Sequence, residues 1–538
     1  MSIPAPTNSL IGALLTDMYQ ISMAYAYWKN KRANDNAVFD LFFRKNPFQG
    51  EYCVFTGLDE VLKFLCSFKF TESDVLYLKT LMPTCENGFF EWLLTLDCSQ
   101  IKIYAIQDGS VCFPKEPLIR VEGPLAVAQL LETTLLNLVN FPSLIATNAS
   151  RMRLAAGPDK MLLEFGLRRA QGPDGGISAS KYAYVGGFDG TSHVLAGKLF
   201  GISVKGTHAH SFVMSYTGLK DLKSTKIASS SDPLVEVEFL ELVLAKRNLL
   251  GFTNTNESEL AAFIAYAQSF PNGLVALVDT YDTLSSGVPN FLSVGWALLE
   301  LGYYPRGIRL DSGDLAYLSK EVRIMFKDMD KDFLKSEFFT KCTITASNDI
   351  NEDVLLSLNR QGHEIDTFGI GTHLVTCQRQ PALGCVFKLV EINGTPRIKL
   401  SQEAEKLVIP AKKNIFRLFG KDGHCLVDLM QLADEPIPQV GEKILVRDPF
   451  VESKRAHVTP VAVEALLYLA YDGSLLNGGV VLNTLEVPKA KCKADLQRMR
   501  ADHIRPLNPT PYKVSVSTRL YDYMHQLWMR EAPIADLA

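Results

Sequence analysis

The chain has 538 residues, 47% hydrophobic and 21% charged, with 36 glycines and 26 prolines, an ordinary composition for a folded protein of two or three domains. Its 55 basic and 59 acidic residues leave a net charge of −4, spread along the chain, which provides no basic face for a nucleic-acid backbone and no polybasic membrane patch. Ten cysteines occur without any Cys-X-X-Cys pair, which argues against a zinc cluster or a disulfide scaffold and fits a reducing cytosol.

The opening stretch, "MSIPAPTNSLIGALLTDMYQ", lacks a positively charged leader and is broken by Asp17, so it reads poorly as a secretory signal. Residues 1 to 150 mix strands, "NAVFDLFFRK" and "IKIYAI", with a helix, "ESDVLYLKTL". The apolar run "PLAVAQLLETTLLNLV" carries Glu132 and is too short to span a bilayer, which predicts a buried helix. "ASRMRLAAGPDK" then reads as a junction.

Between Met161 and Thr376 one pattern recurs. A short apolar run ends in small, polar or charged residues: "MLLEFGLRR", "VGGFDGTSH", "GISVKGTHAH", "LVALVDTYD", "RGIRLDSGD", "CTITASND" and "DTFGIGTH". The later runs alternate with helical patterns, "SVGWALLELGY", "LAYLSKEVRIMFKDM" and "NEDVLLSLNRQGHE", the last with an Asx cap and early acids. Alternating strand and helix predicts a parallel sheet. Because each strand finishes in chemically active residues, an α/β barrel over residues 151–410 with its site at the carboxyl ends of the strands fits best. An open doubly wound sheet is the alternative, and it too would gather a ligand at strand ends. Residues 411–538 add strands, "HCLVDLMQL" and "EKILVRDPF", and a closing helix, "TRLYDYMHQLWMREA", whose aromatic stripe is expected in the core. No solenoid repeat or low-complexity tract interrupts the chain.

The strand ends carry the chemistry. "KGTHAHSF" places His208 and His210 one residue apart, yet a zinc site needs three or four ligands and no partner is marked. "GIRLDSGDL" sets Arg309, a grip for carboxylate or phosphate, beside Asp311 and Asp314, acids able to organise hydrated magnesium; taken alone it reads more readily as a surface loop with an internal ion pair. "FGIGTHL" is a glycine-containing turn ending in Thr372 that could cradle phosphate or simply turn the chain. "EFGLRRAQG" offers Phe165 for stacking a flat ring or for core packing, with Arg168 and Arg169 nearby, and "LVALVDT" adds Asp279. Together these point to an enzyme acting on a phosphorylated sugar and an aromatic ring.

The stretches "LLTDMYQISMAYAYW", "FDLFFRKNPFQGEYCVFTGL", "EFGLRRAQGPDGGISASKYAYVGGFDGTS", "GTHAHSFV", "IRLDSGDL", "FGIGTHLVT" and "KLVEINGTPRIKLS" resemble the nicotinate phosphoribosyltransferase family, in order, from the first twenty residues to beyond position 400. The resemblance implies an irregular parallel α/β barrel with an α+β domain assembled from both chain ends, and formation of nicotinate mononucleotide and pyrophosphate from nicotinate and phosphoribosyl pyrophosphate, the first step of NAD synthesis from nicotinate. It also implies magnesium (or manganese), coupled ATP hydrolysis, a cytosolic location and a homodimer with shared active sites. His210, just before the serine of the Gly-Thr-X-Ala-His-Ser pattern, is implied as the residue phosphorylated by ATP, while His208 falls on the unspecified position and receives no role.

The same resemblance pairs Arg309 with the nicotinate carboxylate, helped by Thr207, stacks Phe165 on the pyridine ring, and brings Tyr19 from a neighbouring subunit to the other face. Arg168 and the turn of Gly369, Gly371 and Thr372 are implied to hold phosphate, with Lys399 reaching phosphate from a mobile loop. Asp279 and Asp311 are implied to act on magnesium pyrophosphate, through water. No Walker-type sequence occurs, so ATP is expected to use the same mouth. Relatives that use nicotinamide carry an acid in the Phe-X-Gly-Thr-X loop where this chain has Ser192; a neutral serine does not repel a carboxylate, so nicotinate is favoured over the amide. The rivals are a nicotinamide-using relative, a Schiff-base barrel lyase with Lys181 or Lys205, and a catalytically silent barrel that binds a nucleotide.

Overall fold

The computed structural model describes residues 5–232, 234–401, 403, 406–473 and 484–532. The chain divides into two compact units: Met1–Ser150, Lys181–Gly187 and Cys377–Ala538 form the first, and Arg151–Ser180 and Phe188–Thr376 the second.

The first unit is built on two six-stranded sheets. One is antiparallel, ordered Thr395–Pro396, Cys385–Ile392, Asn36–Phe43, Ile119–Pro124, Lys102–Ala105 and Tyr468–Asp472. The other runs Arg455–Val458, Ile444–Arg447, Val514–Ser517, Cys425–Leu432, Lys413–Phe419 and Ala462–Ala465. The return to this unit comes at Cys377 rather than near 411, because the Cys385–Ile392 strand pairs with Asn36–Phe43, from Ala37 opposite Ile392 to Phe43 opposite Cys385. The helix Glu72–Leu81 starts where local chemistry dictates: Thr71 and Asp74 form a reciprocal capping box. The apolar segment after Pro124 forms two helices, Leu125–Leu130 and Glu132–Ala156. No described helix is long and apolar enough to cross a membrane. The closing helix Thr518–Glu531 buries Leu520, Tyr521, Met524 and Leu527 on one face, so its core stripe is mainly aliphatic: of the aromatics only Tyr521 is buried, while Tyr523 and Trp528 are half-buried.

The second unit carries a parallel sheet ordered Val275–Leu277, Gly307–Leu310, Thr343–Ala346, Thr367–Ile370, Met161–Glu164 and Gly190–Thr191. A single parallel bridge from Thr191 to Val204 extends it. Thus "VGGFDGTSH" and "GISVKGTHAH" yield only two residues and one bridge of pairing; glycines and polar residues leave few strand formers in either run. Apolar side chains of this sheet, among them Leu162, Ala276, Ile308, Ile344 and Phe368, are fully buried. Helices follow the later strands. In Leu315–Met329 the buried residues Leu315, Ser319, Val322, Phe326 and Met329 recur at helical spacing, and Asp314 caps the Tyr317 N–H. In Glu352–Gln361 the Asn351 side chain caps Val354. Parallel pairing throughout places every carboxyl strand end of this sheet at the same end.

Candidate active site

Those strand ends line a cleft of about 820 Å³ that includes Phe165, Arg168, Arg169, Ser192, Lys205, Thr207, His208, His210, Arg309 and Asp311. Parallel register sets its geometry: Arg309 lies level with Leu277 on one side and Thr345 on the other. The guanidinium of Arg309 is fixed at three corners, with Nε donating to Ser347 Oγ at 2.7 Å, Nη1 to Thr207 Oγ1 at 3.3 Å and Nη2 to Asp311 Oδ1 at 3.1 Å. Ser347 Oγ in turn donates to Asp311 Oδ1 at 2.6 Å, tying the arginine and the acid into one rigid triangle. A guanidinium has five N–H groups, so two remain for a planar anion. Its carbon lies 5.7 Å from the centroid of the Phe165 ring, so one side of the cleft offers a flat apolar face beneath a cation.

Phe165 owes its place to a glycine. A Cβ at Gly369 would stand 2.4 Å from Phe165 Cδ2, closer than any carbon contact allows. Gly369 therefore lies inside the Thr367–Ile370 strand, under the ring, rather than in an open turn. Gly371 and Thr372 come at the start of the short helix Thr372–Val375. Behind the ring, buried Glu164 accepts from the Gly166 N–H, from Ser180 Oγ at 2.8 Å and from Thr191 Oγ1 at 2.6 Å, which pins the turn after Phe165 to the neighbouring strand. Ser192, half-buried, donates to the Glu164 carbonyl at 3.4 Å.

On the other side, His210 begins the helix His210–Met214. Its Nδ1 lies 3.0 Å from Thr280 Oγ1. Its Nε2 faces two carboxylates, 3.6 Å from Asp311 Oδ2 and 3.9 Å from Asp279 Oδ1, and the side chain is 39% exposed. Asp279 is held by its other oxygen, which accepts from the Asp311 N–H at 2.9 Å and Ser312 Oγ at 2.6 Å. Asp279 Oδ1 is buried and accepts no hydrogen bond from any described residue, an expensive arrangement unless something cationic or protic is meant to meet it. Among the described residues no set of three His, Cys, Asp or Glu gathers to hold a metal ion; the acids come as a pair.

His208 lines the cleft but packs its ring among Phe212, Phe263 and Tyr266. Asp314 serves as the helix cap already noted rather than as a site acid. Tyr19 and Lys399 belong to the first unit, Tyr19 exposed on the helix Met18–Lys29 and Lys399 exposed beyond the strand Thr395–Pro396. Lys181 also belongs there, 2.6 Å from Asp59 and 2.9 Å from Glu60. Burial works against its charge, but the two carboxylates outweigh burial and hold the amine above its usual range, which removes it as a Schiff-base nucleophile. Ser347, Thr280 and Glu164 were not singled out by the sequence; their only signal is that each ends a strand-like run.

Family profiles match most of the chain: the nicotinate phosphoribosyltransferase (NAPRTase) N-terminal domain over residues 14–140, the nicotinate phosphoribosyltransferase (NAPRTase) family over 161–422, and the nicotinate phosphoribosyltransferase C-terminal domain over 412–524. The chain is 55% identical to nicotinate phosphoribosyltransferase 1 of Arabidopsis thaliana, covering 99% of this chain and 97% of that one. It is 54% identical to nicotinate phosphoribosyltransferase of Dictyostelium discoideum, over 99% and 91% of the two chains. The crystal structure of human nicotinic acid phosphoribosyltransferase superposes with a TM-score of 0.86 at 42% identity, over 96% of this chain and 100% of that one.

Proposed function

Because the chain belongs to the nicotinate phosphoribosyltransferase family and is an enzyme of that activity, we propose that the cleft at the strand ends joins nicotinate to phosphoribosyl pyrophosphate in the following way. The observation that carries the reading is the locked guanidinium of Arg309 over Phe165. Its two spare N–H groups suit the planar carboxylate of nicotinate, and the phenyl face suits the pyridine ring. Thr207 fixes one corner of that grip. Ser192 presents a neutral hydroxyl where an acid would repel the carboxylate. The strand order, with Val204 extending the ladder, supports an irregular barrel over an open doubly wound sheet.

The chemistry asked of the site is positional. Pyrophosphate departs, positive charge grows on the ribose, and the pyridine nitrogen attacks from a ring held in one orientation, so no strong general base is required. Arg168, exposed at the mouth, and the Gly371–Thr372 segment are placed by this reading against phosphate oxygens. The unpartnered Asp279 Oδ1 and the neighbouring Asp311 Oδ2 fit a hydrated magnesium ion, which would neutralise charge on the pyrophosphate. His210 is read as the phosphoryl acceptor from ATP: Thr280 holds Nδ1, and Nε2 faces the acids that would attend a charged phosphate with its cation. Tyr19 of a second copy is read as closing the ring from its other face, giving a homodimer with shared sites.

The test is turnover of phosphoribosyl pyrophosphate with nicotinate, nicotinamide or quinolinate supplied separately, with magnesium, with and without ATP. Nicotinate mononucleotide alone, stimulated by ATP, is expected. His210→Ala should abolish the stimulation while leaving slow product formation; a variant that still couples ATP hydrolysis to product would remove the phosphohistidine. Ser192→Asp should weaken nicotinate use by roughly tenfold or more, and an unchanged preference for the acid over the amide would remove the role given to Ser192.

A further inference from the structure

His208 stands where the parallel sheet stops. The Val275–Leu277 strand is one edge of that sheet, and the bridge at Val204 is the other. Among the described residues no ladder joins these two edges. A buried N–H on an edge strand needs an acceptor, and for Leu277 that acceptor is a side chain: its N–H donates to His208 Nε2 at 3.2 Å. The ring is buried against Phe212, Phe263 and Tyr266, with centroids 5.4, 6.0 and 5.0 Å away. That burial pushes its pKa down to about 4, with the charges of Arg309 and His210 pushing the same way, so at neutral pH the imidazole is uncharged and able to accept. With Nε2 accepting, the proton belongs on Nδ1, which faces the Ala209 carbonyl at 3.5 Å.

The consequence lies on either side of this residue. Thr207 meets Arg309, and His210 meets Thr280 and the acid pair. Leu277 lies two residues before Asp279. The Leu277–His208 hydrogen bond, alongside the His210–Thr280 contact, therefore ties the segment bearing Thr207 and His210 to the end of the strand that leads into Asp279 and Thr280. We propose that His208 is a positioning residue that substitutes for a missing strand pairing, setting Thr207 against Arg309 and His210 against Thr280 so that nicotinate binding and ATP use stay coupled. The inference rests on the roles given above to Arg309 and His210.

A plug that merely fills the aromatic box would need only apolar volume. His208→Leu keeps volume and loses the acceptor, whereas His208→Gln carries an amide oxygen near the place of Nε2. In the full-length enzyme, amide hydrogen exchange at Leu277, nicotinate KM, kcat and mononucleotide formed per ATP hydrolysed are to be measured for both variants. His208→Leu should exchange Leu277 about tenfold faster, raise nicotinate KM and lower the product-to-ATP ratio several-fold, and His208→Gln should restore all three to near wild type. If His208→Leu fails to fold, His208→Asn, whose shorter side chain falls short of Leu277, takes its place with the same expectation. Faster exchange with unchanged KM and ratio would overturn the inference, as would a His208→Gln enzyme no better than His208→Leu. Wild-type enzyme that makes no nicotinate mononucleotide would instead sink the functional reading on which the inference stands.

Discussion

Arg309 with Asp311 and Arg417 with Asp428 are the same pair of residues put to opposite uses. In the first unit Arg417 and Asp428 are 1% and 0% exposed, joined by two hydrogen bonds of 2.9 and 2.6 Å. Arg417 Nη2 also donates to the Val111 carbonyl and Asp428 Oδ1 accepts from the Tyr512 hydroxyl, both at 2.9 Å, while Nη1 faces the buried Asp495 carboxylate at 3.7 Å. Nearby, burial and the Asp428 charge raise Glu116 well above the usual carboxylate range. In the second unit Arg309 and Asp311 share a single 3.1 Å contact and are 15% and 27% exposed. They keep donors and acceptors in reserve. A pair sealed away from solvent, with only protein groups around its charges, specifies a core, and a half-open pair facing a cleft is a grip for something else.

Breaking each pair should separate the two uses. Arg417→Met strands Asp428 and Asp495 in the core and should cost about 3–5 kcal/mol in a denaturant titration. Arg309→Leu should cost under about 1 kcal/mol of stability while lowering kcat/KM for nicotinate roughly 100-fold to 1000-fold. Equal destabilisation by the two would erase the contrast. Gly369→Ala comes next: the new Cβ collides with the Phe165 ring, so nicotinate kcat/KM should fall about tenfold, with a stability loss of about 1–3 kcal/mol. Unaltered nicotinate kinetics would show that the ring face is not used.

The smallest effect concerns protons. Glu259 in the second unit is raised to about 7 by burial, reinforced by Asp279 and Asp282 and opposed by hydrogen bonds from Ser286 and Asn290. The folded state then holds this proton more tightly than the unfolded state, whose value is 4.5. Its contribution is full below that value and is lost as pH rises through about 7. Glu259→Gln should therefore gain on wild type as pH rises from about 4.5 to about 7, by at most about 1.4 kcal/mol per pH unit, and hold a constant advantage above that, in urea midpoints. A flat difference would mean that Glu259 ionises normally.

Much of this molecule is written locally. The helices Leu315–Met329 and Glu352–Gln361 are legible because apolar spacing and the caps Asp314 and Asn351 act within a few residues. Most of the strand runs are legible because an apolar stretch stops at small, polar or charged residues, whereas "VGGFDGTSH" and "GISVKGTHAH" yield only two paired residues and one bridge. Residue 369 was visible as a glycine, but not the reason for it, since the ring it accommodates is that of Phe165, far away in sequence. Likewise the return to the first unit at Cys377 depends on a strand pairing across more than three hundred residues, which no local signal marks.

By itself, then, the sequence determined the alternation of strands and helices, the side of the sheet on which reactive residues gather, and through its motifs the family's reaction. Only the tertiary structure decided the partners: His210 with Thr280, 70 residues away, Arg309 with Thr207, 102 away, and the Leu277 N–H with His208, 69 away. The physical reason is range. Propensity, capping and periodicity are properties of neighbouring residues, whereas a hydrogen bond between two strand ends exists only once the register of the whole sheet has brought them together.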